Sequence, residues 1–255
     1  MSGYSSFAYV YDQLITGVDY EKIGAYFDAC IARAGGQKGI LLDLGCGTGS
    51  LSMVMDRLGY DVIGVDGSYD MLGEAMEKKA ETGQDILYLA QDMTELDLYG
   101  TIDAAVSSLD SLNHLVTYED FDRAIGRTAL FMAPGGVLVF DVNTPYKHRE
   151  VLGNNTFVYD KEEAYCVWQN STEGDLTQMD LDLFVRQEDG NYTRMEESFS
   201  ERAYSHEEIV DSLTRHGLEL MGVFDAWTFD PPRPDSERLV YLAKMVHSVQ
   251  SRPKP

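Results

Sequence analysis

Apolar and polar residues follow two different periods along this chain, and the period changes twice. In the first half, short apolar runs alternate with amphipathic stretches. The runs GILLDL, DVIGVD, ILYLAQD, IDAAVSSL and GGVLVFDVN, at residues 39–44, 61–66, 86–92, 102–109 and 135–143, read as strands. Between them, GSLSMVMDRLG, SYDMLGEAMEKKA and YEDFDRAIGRTALFM place apolar residues at helical spacing. Ahead of the first strand, residues 4–34 read as helical. Ile23, Tyr26, Phe27, Cys30 and Ile31 share one face, and Gly35-Gly36 is the stop. The turn APGG launches the fifth strand. Near-continuous apolar strands separated by helices predict a parallel sheet covered on both faces.

From about Phe157 to Arg202 the period drops to two, with a hairpin signal at Asp189-Gly190. Three or four antiparallel strands are expected there. The helical period returns at HEEIVDSLTRHG, with Ser205 as N-cap and Gly217 as the stop. Two further strands, LELMGVFDAW and ERLVYLAKMV, flank the proline-rich loop DPPRPDSE. The expected fold is α/β: a doubly wound, mostly parallel seven-stranded sheet with an antiparallel β-insertion after strand five. Residues 1–144 and 203–250 would form one domain. Residues 145–202 would form a lid, because insertions at the carboxyl edge of such a sheet sit over the ligand crevice.

Composition narrows the partners. Lys and Arg number 20 and Asp and Glu 43, a formal net charge of -23. Such a surface repels phosphate backbones and anionic lipid, which disfavours a nucleic-acid or membrane partner. Cys30, Cys46 and Cys166 are odd in number, widely spaced and without metal-ligand companions. They read as reduced thiols of a cytoplasmic protein, with no disulfide framework and no metal site. The N-terminus MSGYSSFAYVYDQL lacks a basic, cleavable leader, and no apolar run spans a bilayer. Monomer and homodimer both stay open.

The candidate chemistry begins at ILLDLGCGTGSLS, where Gly45, Gly47 and Gly49 follow a strand and open a helix. Glycine there allows a tight turn and close approach of a ligand to the backbone. A dinucleotide site needs G-x-G-x-x-G/A, but Ser50 stands at the third place. Asp43, Asp66 and Asp92 come at the ends of three successive strands. A pyrophosphate beside Asp43 would be repelled, by several kcal/mol (on the order of Coulomb's law in a dry site). A cofactor with an ammonium, a sulfonium, a ribose diol and an adenine amine suits three carboxylates.

The stretches LLDLGCGTGSL, VIGVDGSYDML, YLAQDM and APGGVLVFDV together resemble class I S-adenosylmethionine-dependent methyltransferases, whose sheet is Rossmann-like. The resemblance implies S-adenosylmethionine as cofactor and S-adenosylhomocysteine as product. The backbone of Gly45, Cys46, Gly47 and Gly49 would pack along the methionine and ribose. Asp43 would hold the ammonium and Asp66 both ribose hydroxyls. Gly67 and Met71 would flank the adenine. Asp92 would accept from its amine, and the Met93 N–H would meet a ring nitrogen. Ser68 and Leu109 complete the expected cofactor set.

Methyl transfer draws on alignment and water exclusion, so no catalytic cluster is required. The acceptor site could be lined by Asp110, Ser111, Asn113 and His114 after strand four, and by Tyr9 and Tyr11 in FAYVYD. FAYVYD, the loop ending NHL and the β-insertion together resemble a narrower group, bacterial small-molecule N-methyltransferases that include nucleotide-aminosugar N,N-dimethyltransferases. That likeness implies His114 and Tyr11 as the candidate catalytic residues and a small amine or polar metabolite as acceptor. Tyr165, Trp168, Phe184, Arg186, Arg194 and Arg202 of the insertion are further candidates for substrate contact. The rival readings are an RNA or protein methyltransferase, which calls for a basic face, a non-catalytic cofactor-binding module, and a dinucleotide oxidoreductase.

Overall fold

The alternation of strand and helix becomes a seven-stranded sheet. The computed structural model describes residues 17–246 except 162, 163 and 188. The first helix is α1 (Tyr20–Arg33), then β1 (Ile40–Leu44), α2 (Ser50–Arg57), β2 (Asp61–Asp66), α3 (Tyr69–Thr82), β3 (Leu87–Ala90), β4 (Ile102–Ser107), α4 (Tyr118–Phe131) and β5 (Met132–Asn143). After the insertion come α5 (His206–Arg215), β10 (Leu218–Asp225) and β11 (Arg238–Met245). Strands β1 to β5 pair in parallel, and β11 runs antiparallel to both its neighbours. The strands lie in the order β10-β11-β5-β4-β1-β2-β3, which reverses between β1 and β4 and opens a ligand crevice above their carboxyl ends.

Adjacent residues of the central strands serve opposite layers, as parallel strands buried on both faces require. Leu41, Ala104, Val137 and Val139 pack with Phe27, Ile31 and Met55 of α1 and α2. Leu42, Ala105, Leu138 and Phe140 pack with Phe121, Ile125, Ile209 and Leu213 of α4 and α5. Each large aliphatic side chain buried this way contributes about 1.5–3 kcal/mol. Side-chain caps fix the helix starts. Asp19, Ser68 and Thr117 accept from backbone N–H groups of α1, α3 and α4, and Ser205 with Glu208 forms a reciprocal capping box on α5.

The insertion is a separate antiparallel sheet of β6 (Thr156–Asp160), β7 (Ala164–Glu173), β8 (Leu176–Arg186) and β9 (Tyr192–Arg202), in that order. Its inner face carries Cys166, Met179, Leu181, Leu183 and Val185. They pack with Leu152 and with Met71 of α3, which ties the second sheet to the crevice side of the first.

Several boundaries differ from the sequence expectation. Strand β3 stops at Ala90, so Asp92 lies beyond it and caps the turn Met93–Glu95. Strand β4 stops at Ser107 because Leu109 and Asp110 adopt left-handed backbone, with φ of 54° and 61°. The APGG turn is absorbed as a bulge within β5, where pairing jumps from Ile102–Met132 to Ala104–Val137. A wide helical turn at Lys147–Leu152 had no sequence signal. The helix expected from residue 4 begins at Tyr20 among the described residues; Tyr9 and Tyr11 lie outside them.

Candidate active site

On one side of the crevice, the loop after β1 is held from below. Gly45 and Cys46 both donate to Val65 O, at 2.8 and 3.0 Å. Asp66 organises the rim. Its Oδ2 accepts from Gly47 N and its Oδ1 from Ser68 N, each at 2.8 Å. Each carboxylate oxygen keeps a lone pair for a further donor. The glycines play unlike parts. Gly49 has φ of 75°, and a Cβ there would strike the Tyr88 hydroxyl. Gly47 has φ of 53° and faces open space, as does Gly67. Both open positions lie beside Asp66, where a ligand can press against bare backbone.

Beneath the loop, Asp43 is fully buried. Ser52 Oγ donates to its Oδ2 at 2.6 Å, while Oδ1 has no hydrogen-bond partner. Burial pushes this carboxyl up to about 7, with the Asp66 charge adding to the rise. Burial likewise raises Asp66 against the pull of its backbone donors. Two acids held above their usual range mark a site short of positive charge. Asp92 is exposed, and its Oδ1 accepts from Thr94 N and Oγ1, both at 2.7 Å. Met93 reaches back toward Gly45. Cys46 turns its sulfur inward toward Gly64.

The other side of the crevice is assembled from distant segments. Asp141, at the end of β5, accepts from Leu109 N at 2.8 Å and Asp110 N at 3.1 Å. Those two bonds hold the left-handed pair in place. Arg238, at the start of β11, donates to Asp141 Oδ2 and, at 2.9 Å, to Asp110 Oδ1. Asn143 Nδ2 bridges Asp110 Oδ2 at 2.6 Å and Glu201 Oε2 at 3.0 Å. Asn113 accepts from Asn143 N at 2.9 Å and donates to Arg202 O at 2.8 Å, joining the loop to the exit of β9. Burial would raise Asp110, but Arg238, Lys147 and His114 outweigh it and hold it well below the usual carboxylate range. Glu201 goes the other way. Burial and the Asp110 carboxylate push it up to about 8.

His114 ends the turn Ser111–His114 and keeps 31% of its side chain open. Its ring packs on Phe199 of β9 with centroids 5.1 Å apart. Burial lowers its proton affinity, against the pull of Asp110 and Asp66. The ring is crowded by neighbours yet keeps part of its surface open.

Residues 41–136 match the family described as a methyltransferase domain. YqeM of Bacillus subtilis, named as a methyltransferase, is 33% identical over 251 residues, covering 97% of this chain and 99% of its own length. The solved S-adenosylmethionine-dependent methyltransferase of Clostridium acetobutylicum is also 33% identical. Its TM-score is 0.88, with 96% of this chain and 99% of that one covered. The chain belongs to the S-adenosylmethionine-dependent methyltransferases. A third relative of this methyltransferase, from Streptomyces fradiae, is named dTDP-3-amino-3,6-dideoxy-α-D-glucopyranose N,N-dimethyltransferase. It is 28% identical, with 80% of this chain and 79% of the relative covered.

The methyltransferase brings Asp43, Gly45, Gly47, Gly49, Asp66, Gly67 and Ser68 together around one loop through the bonds above. Ser68 also caps α3, accepting from Met71 N at 3.3 Å. Met71 is packed into the apolar cluster of the insertion, and the Leu109 N–H is taken by Asp141. Of the six aromatic and arginine candidates in the insertion, only Trp168 shares the inner face, beside Phe157 and Tyr159. Strand register puts Tyr165, Phe184, Arg186 and Arg194 on the outer face. Phe199, Glu201, Asp141, Asn143 and Arg238 were not foreseen. For Phe199 and Glu201 the alternation of β9 carried the signal, since both share the inner parity of that strand.

Proposed function

We propose that this methyltransferase methylates the amine nitrogen of a small polar metabolite in the cytoplasm, with residues 145–202 as a substrate-binding lid over the domain formed by 1–144 and 203–250. The observation that carries the reading is His114. It stands between the donor-side acid Asp66 and the lid residue Phe199, partly open, with burial favouring its neutral form. A neutral imidazole between carboxylates suits a substrate that arrives as a cation and must lose a proton before it can attack.

The site chemistry fits the donor. Asp43 Oδ1 is a buried acceptor with no partner, a place for the ammonium. The open faces of Gly47 and Gly67 leave room beside Asp66 for the ribose diol and the adenine. Met71 would close the adenine from the lid side, and Asp92, with Met93 N–H, would meet its edge. When bound, the sulfonium supplies a methyl carbon open to in-line displacement. The chain's own tasks are then to bind, to align and to keep water out.

Two further points support a small acceptor. The Streptomyces fradiae relative is named for an aminosugar. Two lid arginines are neutralised by acids: Arg194 pairs with Asp182 and Glu196, and Arg202 with Glu208. Incubating the protein with S-adenosylmethionine and a panel of amines, sugar nucleotides, RNA and protein tests the reading. Methyl transfer to an amine of the small-molecule set is the expected result. Transfer confined to RNA or protein would overturn it.

A further inference from the structure

A chain of hydrogen bonds at the root of the lid fixes where its protons sit. Thr172 Oγ1 donates to Gly153 O at 2.9 Å, which commits its only proton. It therefore accepts from Thr177 Oγ1, also at 2.9 Å, which commits that proton too. Thr177 Oγ1 must then accept from His148 Nδ1 at 2.8 Å. His148 carries its proton on Nδ1, and a bare lone pair is left on Nε2. That nitrogen is buried without a hydrogen-bond partner, and Glu201 Oε2 lies 3.6 Å away. Two lone pairs facing each other repel unless a proton lies between them. Burial holds Glu201 up at about 8 and His148 down at about 4, so the proton rests on Glu201. The other oxygen, Oε1, faces His114 Nε2 at 3.9 Å.

We propose that Glu201 is a positioning residue for deprotonation of the acceptor, passing its own proton back to His148 as His114 takes one from the crevice. This rests on the reading of His114 as the group facing an acceptor amine. The acceptor N–H bond breaks, its proton bonds to the His114 imidazole, and the electron pair stays on the acceptor nitrogen. The new imidazolium repels the proton on Glu201. That O–H bond breaks and the proton bonds to His148 Nε2, leaving a carboxylate between two imidazolium rings. The shift reverses when His114 releases its proton to solvent. Other charges frame the relay without moving. Asp66 and Asp110 face His114; Asp110, Lys147 and Arg238 face Glu201; Asp110, Lys147 and Asp175 face His148.

The test is a titration of the His114 imidazole by NMR in the whole protein without acceptor, the resonance being assigned with His114→Gln. In Glu201→Gln an amide of the same shape stands beside His148 Nε2 but cannot release a proton, so a purely structural role is preserved. His114 should lose about tenfold in proton affinity, one pKa unit. His148→Asn, which keeps a donor for Thr177, should lower His114 by a similar factor from the Oε2 side of Glu201. Should His148→Asn fail to fold, Glu201→Gln decides alone. In turnover, the acid limb of kcat/KM should move to lower pH while S-adenosylmethionine affinity holds. An unchanged His114 titration in a folded variant overturns the relay. If the wild type methylates no amine, the reading of the acceptor fails, and the titration still decides Glu201.

Discussion

The proposed donor-side wall of the crevice comes from one stretch of chain, residues 43–93, whereas the proposed acceptor-side wall joins Asp110, Asp141, Asn143, His148, Glu201 and Arg238. In the first, carboxylates meet backbone N–H groups a few residues or one strand away, as Asp66 meets Gly47 and Ser68. In the second, side chains meet side chains across long separations, as Arg238 meets Asp110. A ligand common to a whole family can be held by local backbone geometry. An acceptor that differs among relatives is better served by side chains on elements that vary independently.

The comparison can be broken at its most buried point. Replacing Arg238 with Met leaves Asp110 and Asp141 facing each other without the guanidinium that bonds both. Chemical denaturation should show a stability loss of about 3–5 kcal/mol. A loss under about 1 kcal/mol would mean the acceptor wall does not depend on this ion pair.

Next in size is His114→Ala, which removes the proposed base and leaves the donor wall intact. Turnover should fall about a hundredfold, with S-adenosylmethionine affinity within about twofold by calorimetry. The opposite pattern would move His114 to the donor side. Asp66→Ala should do the reverse and weaken S-adenosylmethionine binding at least about tenfold, since two charge-assisted hydrogen bonds contribute about 1.5–3 kcal/mol each. Unchanged affinity would remove Asp66 from the ribose.

The difference between the walls explains what could be read in advance. The seven-stranded sheet was legible because apolar runs and helical periods are local signals. So was the donor loop, because Gly45, Gly47, Gly49 and Asp66 act within one βαβ unit. The acceptor wall was not, because Arg238 lies 128 residues from its partner Asp110 and nothing local marks it. The left-handed pair Leu109-Asp110 was also hidden. Neither residue is glycine, and only the bonds from Asp141 reveal why the strand stops early. Within the insertion, period two was evident, but which parity faced inward was set by packing on Met71 and Leu152.

The smallest effect is one of pH. Burial raises Asp43 to about 7 in the folded protein, from about 3.9 unfolded. The folded state thus binds more protons between these values. The contribution of Asp43 to stability is full below about 4 and lost as pH rises through about 7. A bound ammonium favours the ionised form, so binding should release up to one proton below pH 7. Affinity for S-adenosylmethionine should rise less than about tenfold per pH unit up to about 7 and then level. Calorimetry in buffers of different ionisation enthalpy reads the proton directly, and a pH-independent affinity in Asp43→Asn would confirm its source. A wild-type affinity that is already flat from pH 5 to 8 would rule Asp43 out.

The most direct measurement of the central claim is the crystal structure of the protein with S-adenosylmethionine bound. The account expects the ribose hydroxyls on Asp66, the methionine portion along Gly45–Gly49 above Asp43, and the methyl group turned toward His114 and the inner face of the lid. A ligand seated elsewhere, or one whose methyl group points away from His114, would contradict it.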